Sequence, residues 1–121
     1  MWIWGSVSSL GLPTTVVEQA AKHWLASETE TVIMLPNAKE PVTLLMLDHP
    51  ANPGFPTYWH ARGYGLFAAN PLGRKVFDDK QAELVITLEP NQSITFRHRV
   101  LILSGPLPTE AIEREYRNFA Q

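Results

Sequence analysis

The chain has 121 residues, so one domain (1–121) is expected, and its 45% hydrophobic and 18% charged content is that of an ordinary globular protein. A net charge of −2, with its basic residues scattered, argues against nucleic acid or an anionic membrane as partner. With no cysteine, disulfides, thiolate zinc sites, iron–sulfur clusters and thiol catalysis are excluded, and the composition suits the cytoplasm.

The opening "MWIWGSVSSLGLP" is apolar but lacks the basic start of a signal peptide, and no apolar run reaches the ~20 residues of a membrane span. From 14 to 28, "TTVVEQAAKHWLASE" predicts a helix. Thr15 and Glu18 have capping-box spacing, and Val17, Ala20, Ala21 and Trp24 form an apolar face with His23 beside it. "TVIMLP" (31–36) predicts a strand stopped at Pro36. "PVTLLMLD" (41–48) is apolar at nearly every position, which predicts a strand buried on both faces. The proline-rich segment 50–56 cannot be regular structure. "YGLFAA" (64–69) predicts a short strand, and "PLGRKVFDDKQ" (71–81) a loop with a brief extended piece.

The stretch 83–104 alternates with period two around Glu89-Pro90-Asn91-Gln92 and predicts a β-hairpin. Its second arm places Ile94, Phe96, His98, Val100 and Ile102 on the apolar face. Last, "PTEAIEREYRNFA" predicts a helix with Thr109 as N-cap and Ile112, Tyr116 and Phe119 as its buried stripe. The expected fold is mainly β: an antiparallel β-sandwich-like arrangement with a helix near each end.

Chemistry concentrates in "LDHPANPGFPTYWHARGYGLFAANPLG" (47–73). Asp48 and His49 stand where a buried strand ends, a rigid support for exposed groups. In an extended segment His60, Arg62 and Tyr64 share one face, bringing together an imidazole, a guanidinium and a phenol. Such a set suits a small polar ligand. His49 and His60 are the proton-transfer candidates, and Arg62 is an anion or hydroxyl clamp. Trp59 and Tyr64 are platforms, with Asn52 and Asn70 as further ligand-binding candidates. His98 reads first as a hydrogen-bonded core residue, and joins the site if it lines the concave face of the sheet. Asp48, His49 and His60 also make a two-histidine, one-carboxylate set for a divalent metal, although no HxH or HExxH pattern accompanies them. Against both stands a plainer reading, in which Asp48, Asn52 and Asn70 only satisfy backbone groups of the loop. No GxSxG, GxxxxGK or GxGxxG motif is present, and Asp78-Asp79 look solvated rather than a glycosidase pair.

Asp48, His49, Pro50, Asn52, Pro56, Trp59, His60, Arg62, Tyr64 to Phe67, Asn70, Pro71 and Gly73 follow a DHPxNxxxPxxWHxRxYGLFxxNPxG pattern. Together with the later "LVITLEPNQSITFRHRVLILSG", this run resembles the C-terminal part of soluble domains in the methane oxygenase PmoA-like family. The resemblance covers 42–119, while 1–40 diverge from it. It implies a β-sandwich, similar in style to sugar-binding mutarotase-like sandwiches, and hence a pocket for a carbohydrate-derived ligand. The alternatives it leaves open are a metal-dependent oxygenase-like enzyme and a non-catalytic structural or assembly module. Asn91 stands where the family usually has glycine, which asparagine can replace because it tolerates positive φ. Members are usually longer, so the expectation includes a fragment lacking N-terminal strands. Open sheet edges would then pair with a second copy, giving a homo-oligomer.

Overall fold

The structure, a computed structural model, describes residues 5–6, 24–26, 30–35, 40–62 and 66–121, with side chains for 30–32, 40–60 and 66–121. Its strands are β1 (Gly5–Ser6), β2 (Trp24–Ala26), β3 (Glu30–Leu35), β4 (Val42–Asp48), β5 (Tyr58–Arg62), β6 (Leu66–Asn70) and β7 (His98–Ser104). They form two antiparallel sheets, ordered β1-β6-β5 and β2-β3-β4-β7. Among the described residues there are also two helices, α1 (Arg74–Phe77) between β6 and β7, and α2 (Thr109–Phe119) after β7. The mainly-β, antiparallel architecture expected from the sequence is the observed one.

The core lies on the inner strand of each sheet. Residues 43–48 of β4 and all five of β6 are buried. An inner strand whose two faces are both covered loses the polar/apolar alternation, which is why 41–48 reads as a continuous apolar run. Leu45 and Leu47 are fully buried, and Leu44 and Met46 nearly so. No helix among the described residues is long and apolar enough to cross a membrane.

Several local expectations change. Trp24–Ala26, expected within a helix, pairs as a strand with Ile33, Val32 and Thr31. The remainder of 14–28, including the capping box and His23, lies outside the described residues except for these three. The expected extended piece after Pro71 is instead the single turn α1. Val76 N–H donates to Gly73 O at 2.9 Å and Asp78 N–H to Arg74 O at 2.8 Å. α2 forms as predicted, but Pro108 is its N-cap and Thr109 its first residue, with no side-chain cap. Pro108 holds φ −69 and ψ 151, the extended geometry a cap position needs, so the helix starts one residue earlier than a Thr109 cap would place it.

The hairpin is changed most. Its turn is present: Gln92 N–H donates to Glu89 O at 2.9 Å, and Glu89 N–H to Gln92 Oε1 at 3.0 Å. Pro90 followed by Asn91 at φ 69 is the chemistry of a type II turn. The arms 84–88 and 94–97, however, form no ladder. A two-stranded arm is marginal without a third strand or a covered face, and Val85 is 72% exposed. The second arm becomes a strand only from His98, where β7 pairs residue for residue with the buried β4. The face of β7 is also inverted relative to expectation: Val100 and Ile102 are exposed, while Leu101 and Leu103 are half-buried. Alternation separates two faces but does not say which one α2 covers. The Arg99 guanidinium lies 4.8 Å over the Phe119 ring, so α2 lies on the Arg99 side of β7.

Candidate functional site

Asp48, the last residue of β4, is paired in register with His98, the first of β7. Its carboxylate is buried. Oδ1 accepts a hydrogen bond from Asn52 Nδ2 at 2.7 Å, and Oδ2 accepts Thr57 N–H at 3.1 Å. His98 Nε2 sits 3.1 Å from Oδ1, at ion-pair distance but without hydrogen-bond alignment. Asn52 carries the network onward: its Nδ2 also reaches Arg97 O at 2.6 Å, and its Oδ1 accepts Arg97 N–H at 2.7 Å. His49 N–H donates to Arg97 O at 3.3 Å. The loop 49–57 is thereby fastened at both ends and across to the chain entering β7. Buried polar groups need such partners, and two short side chains, Asp48 and Asn52, supply them here.

His49 faces the other way, as successive residues at a strand end do. Its Nδ1 accepts Ala51 N–H at 3.1 Å, and its ring meets Phe119 of α2 edge-on, with centroids 5.2 Å apart. Tyr116, one turn earlier on α2, has its phenol pushed above the usual range by burial and by the negative charges of Asp48 and Glu30.

A second cluster lies on β5. Tyr58 and His60 share one side of that strand, and Phe77 of α1 meets both. Tyr58 and Phe77 are stacked, 5.7 Å between centroids and 9° between planes. His60 meets Phe77 edge-on, at 5.3 Å and 83°. Trp59 alternates to the opposite side and is buried, so it is not the open platform expected of it. The loop 49–57 ties the two supports of this cluster together. Asp48 holds Thr57, which leads into β5, and Arg74 of α1 donates through Nη2 to Gly54 O at 3.0 Å. Gly54 has φ 78, and a Cβ there would stand 3.1 Å from Pro71 O and 3.3 Å from Arg74 Nη2. Only glycine accommodates that backbone and that approach. Asn70, at the end of β6, is buried with its amide packed on Gly73, where a Cβ would overlap it.

Of the candidates read from the sequence, the structure therefore joins Asp48, Asn52 and His98 in one cluster and places His60 in another. It turns His49 to α2. The side chains of Arg62 and Tyr64 lie outside the described residues. The metal set Asp48, His49 and His60 does not converge, and no group of three or more His, Asp or Glu among the described residues could hold a metal ion. The sequence reading missed Phe77 and the part played by Tyr58. The available signal was an aromatic residue in the charged run "RKVFDDK", which no core requires. It also missed Tyr116, assigned only to a buried stripe.

A family model described as a family of unknown function (DUF6807) matches residues 6–117. No curated protein and no solved structure matches.

Proposed function

The chain belongs to the DUF6807 family, and from that premise we propose that it is a binding module for a small polar, carbohydrate-derived ligand, formed around loop 49–57 and the elements this loop positions. The observation that carries the reading is the buried Asp48 carboxylate, which hydrogen-bonds Asn52 and Thr57 and so holds a proline-rich loop in one conformation. Binding groups are most effective when their support is locked in this way. His60 is then the imidazole that binds ligand or exchanges a proton, and Asp48 with His98 forms the rigid base. The run 48–73, with its likeness to the PmoA-like domains, belongs to the same reading as the segment that builds the site. The cytoplasm is the compartment we propose, on the absence of cysteine from the chain.

A second reading, a structural module with no ligand, is favoured by one observation. The side chains of Asp48 and Asn52 are both spent on hydrogen bonds that hold the loop, Asp48 accepting from Asn52 and Thr57, and Asn52 bonding the Arg97 backbone as well. Thermal unfolding across neutral sugars and sugar acids separates the two. A ligand at 100 times its Kd stabilises by about 2.7 kcal/mol, so a rise of several degrees in Tm is expected. A flat response across the whole panel would reject the binding reading and leave the structural one. The oxygenase-like alternative draws no support from the geometry, because its three candidate ligands point apart.

A further inference from the structure

Among the described residues β7 is paired on one side only, at the end of the order β2-β3-β4-β7. Which of its backbone groups face outward follows from the ladder. Arg97 O accepts His49 N–H, and Gly105 N–H donates to Pro41 O. Both contacts continue the β4–β7 register, in which Asp48 stands opposite His98 and Val42 opposite Ser104. Hydrogen-bonded and non-hydrogen-bonded pairs alternate along an antiparallel ladder. The backbone groups of Arg99, Leu101 and Leu103 therefore turn to β4, and those of His98, Val100, Ile102 and Ser104 point away from it. Two of these four residues also expose apolar side chains, Val100 at 52% and Ile102 at 60%. Their ladder partners on the same face, Met46 and Leu44, are almost fully buried, so the cover over that face ends before β7.

We propose that β7 pairs antiparallel with β7 of a second copy about a two-fold axis through Leu101, joining the two four-stranded sheets into one. The occupant follows from the strand's own symmetry. With Leu101 opposite the partner's Leu101, Val100 meets the partner's Ile102 and His98 meets the partner's Ser104. These four residues then exchange hydrogen bonds with one another, and every outward N–H and C=O of the strand is satisfied. Other registers do worse. A slip of one residue sets outward groups against inward ones, and moving the axis to Ile102 sets His98 against the partner's Pro106, which has no N–H. The axis at Leu101 also gathers both copies of Val100 and Ile102 into one apolar cluster, and cross-strand β-branched pairs stabilise a sheet. Arg99, the strand's one full charge, lies opposite the partner's Leu103, so like charges do not face each other. Self-complementarity of this kind is what an isologous contact requires, and a strand of unrelated sequence would not share it. The inference is independent of the binding reading above.

The chain has no cysteine, so a single introduced thiol reports the position of the axis. Cα atoms of a non-hydrogen-bonded pair lie about 4.5 Å apart, within the span of a disulfide. Mild oxidation of the full chain carrying Leu101→Cys is expected to give a linked dimer on a non-reducing gel. Leu103→Cys should give none, because its two thiols would sit more than about 13 Å apart along the paired strands. Ile102→Pro removes an outward N–H that β4 does not use, and should raise the dimer Kd more than about tenfold in sedimentation. Urea midpoints near wild type identify the variants that keep the fold, and sedimentation of the wild type at micromolar concentration tests the dimer with no variant at all. A strictly monomeric wild type would overturn the proposal. So would a dimer that links through Leu103→Cys as readily as through Leu101→Cys, or one that a folded Ile102→Pro leaves unweakened, since either would place the contact elsewhere.

Discussion

Asn52 shows how much of the loop depends on one side chain. It makes three hydrogen bonds, to Asp48 and to both backbone groups of Arg97. Asn52→Ala should therefore cost about 2–4 kcal/mol, because buried partners are left unsatisfied as well as bonds lost; a urea midpoint unchanged from wild type would show that water replaces the amide at no cost. Tyr116 gives a prediction in pH. Its phenol is raised above the ordinary value of 10.0 by burial, then by Asp48 and Glu30. Between the unfolded value and the raised folded one, the unfolded chain has released a proton that the folded chain still holds. Stability is thus at its full value below about pH 10 and falls as pH rises through the folded value. Tyr116→Phe should flatten that alkaline fall in urea midpoints taken from about pH 9 to 11, and parallel curves for the two proteins would show that other groups cause it.

At the scale of elements, the turn 89–92 is the clearest test of local chemistry. Asn91 holds φ 69 where a β-branched side chain is strained. Asn91→Val should destabilise by about 1–2 kcal/mol, and Asn91→Gly should stay within a few tenths, as read from chemical denaturation. Equal stability of the two variants would mean that the turn opens freely and contributes nothing to the fold. The same element shows where pattern reading reaches its limit. Alternation over 83–104 located the turn, but of the two expected arms only the part from His98 is a strand, where β4 offers β7 a buried partner. The sequence of β4 carried its own answer, since an unbroken apolar run at strand length needs cover on both faces. The site divided in the same way. Asp48 at the end of that strand and His60 on an extended face were legible from spacing. Phe77 was not, because its significance lies in two contacts from a strand more than fifteen residues away in the chain.

For the molecule as a whole, β7 is the terminal strand of its sheet among the described residues, and it exposes Val100 at 52% and Ile102 at 60%. An apolar edge of seven residues, with no proline and Arg99 as its only full charge, is a template for pairing with another strand. Self-association is accordingly expected: sedimentation at micromolar concentration should show a species larger than the monomer, and Ile102→Lys should shift it toward monomer. A wild type that sediments strictly as a monomer would contradict this.

By itself the sequence determined the antiparallel, mainly-β class, the doubly buried strand β4, the turn at Asn91 and the concentration of polar and aromatic groups between 47 and 73. These follow from periodicity and from backbone preferences, which act over a few residues. The tertiary structure alone decided that α2 covers the Arg99 side of β7, that His49 turns to Phe119 while His98 meets Asp48, and that Phe77 joins Tyr58 and His60. Each of those depends on which surfaces meet across long stretches of chain, and a local pattern holds no information about the partner that covers it.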